Sequence, residues 1–325
     1  MIELRGRRFL VTGGTGFIGS ALVRALVRRG AHVRCLDNNS RGAVAKLGDV
    51  ATQVDVVVGD VRDPTVVRLA TQGMDTVCHL AYINGTEFFY DRPELILEVA
   101  VKGMMNVLDA CLAEGVRDLV LASSSEVYQT APRIPTPEDV PLVVPDVANP
   151  RYSYGGGKII SELLAINYGR KYFDRVVIFR PHNVYGPDMG AEHVIPQFAL
   201  RMRRACAETQ GTVPFPIQGS GRETRAFIYV DDFTDGLLRV IEHGAHLNVY
   251  HIGTSEEVTV AHVAKLVAAC FGRDIELVPG TVRPGSAARR SADITKLRAL
   301  GFRPSTSLET GIATTVAWYR DTCVV

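Results

Sequence analysis

The sequence predicts an α/β fold: a doubly wound parallel sheet with a smaller C-terminal substrate-binding domain. Three observations carry that expectation. A short apolar run opens into a glycine-rich turn at Gly13, Gly16 and Gly19. Apolar runs and amphipathic stretches then alternate along the first half of the chain, which implies parallel strands joined by crossover helices. Small or polar residues close each apolar run, at Gly13, Asp37, Asp60, Ala81 and Ser124. Ligands of such sheets sit beyond the carboxyl ends of the strands, so these five positions converge on one edge.

Residues 9–11, Phe-Leu-Val, read as a buried parallel strand. In the turn that follows, Gly13 permits a tight bend and Gly16 lets backbone N–H groups approach a pyrophosphate. Gly19 lets the new helix pack closely on the strand. That helix is predicted over residues 18–29, with Ile18, Leu22, Ala25 and Leu26 on its buried face. Its N-terminus is a natural anion site. A glycine-rich turn alone is a weak signal. The second strand, residues 31–36, strengthens it by ending in Asp37, near the spacing of about 20 residues of a dinucleotide fingerprint. A carboxylate there accepts hydrogen bonds from a ribose diol and repels a 2′-phosphate. The sheet is therefore expected to be of Rossmann type and the cofactor NAD, with Arg41 close by leaving NADP as the alternative.

Further strands are expected at 54–58, 76–80, 118–122 and 176–179, and helices at 95–113 and 153–172. The second helix carries Tyr154 and Lys158. Positions i and i+4 share a helix face, so Lys158 would place positive charge near the Tyr154 oxygen. That charge favours the phenolate of a group whose ordinary pKa is about 10. Lys158 would also bond the nicotinamide ribose, and Ser124 the reacting substrate oxygen. Together they would take a proton from an alcohol while hydride leaves for NAD. On its own a Tyr-x-x-x-Lys spacing is equally a surface pair. The upstream fingerprint and the serine-rich strand end give it chemical meaning.

Composition narrows the function classes. The chain has 325 residues, 36 basic against 35 acidic, a balance that gives no support to nucleic-acid or membrane binding. No apolar run is long enough to span a bilayer, and the first five residues run into a strand rather than a signal peptide. Cys35, Cys78, Cys111, Cys206, Cys270 and Cys323 are scattered without metal spacing, as expected of free thiols in a cytoplasmic enzyme with no metal.

These motifs resemble the extended short-chain dehydrogenases/reductases of the nucleotide-sugar epimerase/dehydratase group. The resemblance spans essentially the whole chain: residues 12–19, Asp37, Gly59-Asp60-Val61, His79-Leu80-Ala81, 123–128, Tyr154/Lys158, 180–187, 224–232 and 290–293. It implies that Gly13, Gly16, Phe17, Ile18, Gly19, Asp37, Asn38, Asp60, Val61, Leu80, Ala81, Tyr154 and Lys158 hold NAD, Asp60 and Val61 bracketing the adenine. It implies that Ser125, Asn183, His193, Arg225 and Arg290 hold a nucleotide sugar, the two arginines suiting its diphosphate. The reaction would begin by oxidising the sugar, usually at C4.

An NAD-dependent epimerase acting through a transient 4-keto sugar is the expectation, with Glu126 as a C5 base and His193 as its partner. The Ser-Ser-Glu run at 124–126 also resembles 4,6-dehydratases and hexuronic-acid decarboxylases, which remain alternatives. Ser125 stands where the deoxythymidine-sugar dehydratases carry an aspartate, and Tyr128-Gln129 departs from the common Tyr-Gly. A non-catalytic dinucleotide sensor on the same fold is the distant alternative; it would have no need of Tyr154, Lys158 and Ser124 together.

Residues 1–180, with a return segment at 226–248, would form the NAD-binding domain. Residues 181–225 and 249–325 would bind the nucleotide sugar across a cleft. Gly85, Thr86, Glu87 and the loop 188–193 would face the sugar. A homodimer through helices 95–113 and 153–172 is implied by the resemblance. Which nucleotide and which sugar stay open.

Overall fold

The computed structural model describes residues 1–208, 210–281 and 287–322, apart from the side chains of Thr86 and Glu87. Cys323 lies outside the described residues. In the first half, strands and helices run β1 (Arg8–Thr12), α1 (Phe17–Arg28), β2 (His32–Asp37), β3 (Val54–Val58), α2 (Pro64–Thr71), β4 (Thr76–His79), α3 (Thr86–Asp91), α4 (Pro93–Glu98), α5 (Met104–Ala113), β5 (Asp118–Ala122), α6 (Ser153–Tyr172) and β6 (Arg175–Pro181). The second half continues β7 (Val184–Tyr185), α7 (Val194–Glu208), β8 (Val213–Ile217), β9 (Thr224–Ala226), β10 (Ile228–Tyr229), α8 (Val230–His243), β11 (Asn248–Ile252), β12 (Glu257–Thr259), α9 (Val260–Ala269), β13 (Ile275–Pro279), β14 (Arg289–Arg290), α10 (Thr295–Ala299) and α11 (Leu308–Thr322).

Seven parallel strands form the central sheet in the order β3-β2-β1-β4-β5-β6-β11. The strand order reverses direction between β1 and β4, which is where such sheets open a crevice. Strands covered on both faces are apolar throughout, and β5 is buried at all five positions. On one face Leu22, Leu26, Phe233 and Leu237 of α1 and α8 pack on Phe9, Val11, Val120 and Phe179. On the other, Val107, Leu108, Cys111 and Ala165 of α5 and α6 pack on Leu10, Val77, Leu119 and Ile178. The return segment carries α8 and continues through β11, which pairs with β6 as the edge strand.

Several elements differ from the sequence expectation, among them α3, which was not anticipated. The helix expected over 95–113 starts at Pro93, a residue suited to a first turn, and a π turn at Val99–Gly103 interrupts it. α2 was not anticipated, although Asp63 caps it through Thr65 and Val66 N–H at 2.9 and 3.4 Å and Pro64 opens it.

A third core lies outside the sheet. Phe198 and Met202 of α7, Val263 and Val267 of α9, and Ile312 and Val316 of α11 enclose Phe215 of β8. Three small sheets, β12-β9-β14, β10-β7 and β13-β8, complete the described strands. No helix among the described residues is long and apolar enough to cross a membrane.

Candidate active site

The carboxyl-terminal side of the sheet opens into one cavity of about 850 Å³, running from the glycine-rich turn to the loop before α7. At the turn, Gly13 has a left-handed backbone (φ 71°), and a Cβ there would stand 2.8 Å from the Ala81 backbone. Only glycine lets β1 turn so close to the end of β4. α1 begins with no side chain capping it, so its first N–H groups are free for an anion. Asp37 is fixed by Thr15 N–H at 3.0 Å and Asn39 N–H at 2.9 Å. Asp60 accepts from Asn38 Nδ2 at 3.1 Å and pairs with Arg62, whose hydrogen bond holds its carboxyl down at about 2. Leu80 and Ala81 donate their N–H groups to Thr12 Oγ1 at 3.2 and 3.1 Å. A glycine cradle, a bare helix N-terminus and a carboxylate at the end of β2 fit a dinucleotide. Arg41 is engaged elsewhere: it pairs with Glu192 of the loop before α7 and lies over the Phe88 ring at 5.7 Å.

Ser124, Tyr154 and Lys158 line the same cavity. Tyr154, on the first turn of α6, packs against Phe89 at 5.1 Å and edge-on to Tyr82 at 5.1 Å. Burial pushes its phenol up to about 12, opposed by the Ser124 hydroxyl and by Arg41 and reinforced by Glu126. Lys158 Nζ donates to the Ala122 carbonyl at 2.6 Å and lies 3.7 Å from the Tyr82 ring centroid. Burial pulls this ammonium down to about 7, with Glu162 opposing. Arg41 also acts on Tyr154, its positive charge favouring the phenolate.

Ser125 and Glu126 ride on a tight helical turn, Ser125–Tyr128, capped by Ser124 Oγ accepting from Glu126 N–H at 3.1 Å. A buried chain holds this turn from beneath. Arg180 donates to Glu162 at 2.8 and 2.6 Å and to the Tyr128 hydroxyl; Tyr128 in turn meets His251 Nε2 at 2.6 Å, and Ser123 donates to Glu162. Gln129 takes the left-handed backbone (φ 51°) that a glycine would adopt freely, and its Nε2 donates to the Glu126 carbonyl at 2.6 Å.

Glu126 forms a salt bridge with Arg290, with Arg151 and Arg225 also acting on it. Burial alone would raise its carboxyl; the three guanidinium groups outweigh burial and hold it below the ordinary carboxylate range. Asn183 donates from Nδ2 to the Ala226 carbonyl at 3.0 Å. His193 lies 3.9 Å from Glu192, and burial with Arg41 nearby pulls it down to about 4, so its ring is neutral at physiological pH.

One cavity thus gathers Ser124, Ser125, Glu126, Tyr154, Lys158, Asn183, His193 and Arg290. Arg225 is not among its lining residues. Its guanidinium donates to the carbonyls of Thr224, Ala287 and Ala288 at 2.7, 2.8 and 3.4 Å. Sequence reasoning missed Tyr82 and Arg151, which also line the cavity, as does Glu192 of the loop 188–193. Tyr82 carried a readable signal, since it follows Ala81 at a strand end. Arg151 belongs to a single helical turn, Pro150–Tyr152, too short to show a periodic pattern.

A family model described as "NAD dependent epimerase/dehydratase family" matches residues 9–253. The chain is similar to dTDP-4-dehydro-6-deoxy-D-allose reductase of Streptomyces bikiniensis, 32% identical over 97% of each chain. It is 29% identical to UDP-N-acetyl-alpha-D-glucosaminuronate decarboxylase of Bacillus cytotoxicus, over 97% of this chain and 98% of that protein. Among solved structures it resembles the UDP-glucose 4-epimerase of Thermus thermophilus in complex with NAD. That match has a TM-score of 0.85 and 29% identity, covering 97% of this chain and 100% of the other.

Proposed function

The chain belongs to the NAD dependent epimerase/dehydratase family and uses NAD, and we propose that its substrate is a nucleotide-linked sugar bearing a carboxylate, which it oxidises at C4 and decarboxylates. The observation that carries this reading is the charge around Glu126: in one cavity Arg290 pairs with this carboxylate and Arg151 stands as a second guanidinium. A site with that surplus accommodates a second anion, and a guanidinium fork suits a carboxylate. The similarity to a hexuronic-acid decarboxylase over the full chain agrees with it.

NAD, when bound, supplies the hydride acceptor, the donor for the return step and a positive charge. Tyr154 takes the proton of the C4 hydroxyl while Ser124 bonds the same oxygen and Lys158 favours the phenolate. The ketone makes the C5–carboxylate bond labile, because its breaking electron pair flows into the carbonyl. Carbon dioxide leaves and C5 takes a proton from water; bound NAD would supply the returning hydride at C4, and Tyr154 returns its proton to the C4 oxygen. Glu126 need not act as a C5 base in this sequence. That matches its engagement with Arg290, which makes it a weak base. Water loss would require a free base and an acid, and Ser125 is no acid. Simple inversion at C4 would leave the Glu126–Arg290 pair idle.

Calorimetry on the NAD-loaded protein tests the reading without turnover. A nucleotide hexuronic acid should bind about tenfold more tightly than the matching neutral nucleotide hexose, the scale of one charge-assisted contact. Arg290→Met should erase that preference. Equal affinities in the parent protein would rule out an acidic sugar.

A further inference from the structure

Tyr82 touches both members of the Tyr154/Lys158 pair. Its ring face lies 3.7 Å from Lys158 Nζ, its hydroxyl donates to the Tyr154 carbonyl at 3.1 Å, and its ring stands edge-on to that of Tyr154 at 5.1 Å. α6 makes room for this contact. A Cβ on Gly157 would overlap the Tyr82 hydroxyl and stand 2.7 Å from Ala100 Cβ, so the tyrosine seats in a notch that glycine leaves in the helix.

Lys158 needs such a partner. It is 4% exposed and its ammonium has three donors, of which one is met by the Ala122 carbonyl at 2.6 Å. The groups that face it are that carbonyl from β5, neutral His79 and Tyr82 from the end of β4, and Tyr154 and Glu162 a turn away on either side in α6. Glu162 is already engaged by Arg180 in a two-pronged salt bridge. Among the described residues, Tyr82 is the aromatic face that covers the ammonium, and an aromatic face stabilises a cation most effectively where water is excluded.

We propose that Tyr82 is a positioning residue that keeps Lys158 cationic and holds its ammonium in place behind Tyr154. The inference rests on the reading of Tyr154 and Lys158 as the proton-transfer pair. It matters because burial brings Lys158 to about 7, where a modest loss of stabilisation changes its charge state at physiological pH.

Two substitutions separate ring from hydroxyl. Tyr82→Phe keeps the face and loses the bond to the Tyr154 carbonyl; Tyr82→Leu loses the face. NMR titration of isotope-labelled lysine in the NAD-loaded protein, with the Lys158 signal assigned by Lys158→Met, reads the charge directly. In Tyr82→Leu the Lys158 titration should fall by about one pH unit, the size of a desolvated cation–aromatic attraction. The basic limb of kcat/KM should move with it, while Tyr82→Phe stays at the parent value on both readouts. A folded Tyr82→Leu whose Lys158 titrates like the parent overturns the proposal, as does a Phe variant shifted as far as the Leu variant. If the titration shifts as expected but Lys158→Met still turns over, the proton-transfer reading fails and the role of Tyr82 in holding the charge stands.

Discussion

Glu126 is a carboxylate that burial would protonate and three arginines keep ionised. Tyr154 is a phenol that burial drives the other way, up to about 12, with only Ser124 and Arg41 opposing. These opposite environments assign the two groups different work: one stays a fixed negative charge, the other waits for a cation before it can act as a base. Replacing Tyr154 by Phe removes the proton acceptor and leaves the glycine cradle untouched. Tyr154→Phe should hold NAD as the parent does, read by calorimetry, and lose roughly 10²- to 10⁴-fold in kcat, the usual yield of a positioned acid–base group. A variant that keeps its kcat would remove Tyr154 from the chemistry. Tyr154, Lys158 and Ser124 were legible because their spacing and their place after a strand carry meaning. The partner of Glu126 was not, because Arg290 lies 164 residues away and reaches it through β14, a strand of two residues.

At the level of elements, the first half of the chain was readable and the rest largely was not. β3, β5 and α6 fall at the predicted residues, because long apolar runs and turn signals repeat at a clear period. The small sheets were invisible: β7, β10 and β14 have two residues each, too few for any alternation to show. The π turn at Val99–Gly103 was equally hidden, since its residues continue the helical pattern on both sides. The close packing of α1 on β1 was legible in full. A Cβ on Gly19 would overlap the Gly13 carbonyl oxygen, which is the reason the third glycine of the turn was expected to be small. The segment carrying Glu126 depends on elements far apart in sequence, with Glu162 of α6, Arg180 of β6 and His251 of β11 all bonded beneath it.

Over the whole molecule, two ion pairs tie the segment after β2 to the loop before α7: Arg41 with Glu192, and Lys46 with Asp188 at 2.9 Å. The segment after β2 and the loop before α7 thus meet at the rim of one cavity. The interior also sets an acid limit. Burial holds His79 and His251 down at about 3, and His182 well below its ordinary value. All three are neutral when folded, and each gains a proton on unfolding once the pH falls below about 6.5. Their contribution is fully present above that pH and is lost as the pH falls toward 3. Each then removes about 1.4 kcal/mol per pH unit. Urea unfolding at about pH 7.5 and about pH 5.5 should show a loss of roughly 4 kcal/mol for the three together; a flat profile would contradict their neutral burial.

The central claim is that the C4 ketone formed at Tyr154 serves to release carbon dioxide from an acidic sugar. Mass spectrometry of the product formed from a nucleotide hexuronic acid in heavy water tests it most directly. The account predicts a product lighter by one carbon dioxide, carrying one solvent deuteron at C5, with no reduced cofactor accumulating. A product of unchanged carbon count, whether an isomer or a dehydrated sugar, would contradict it.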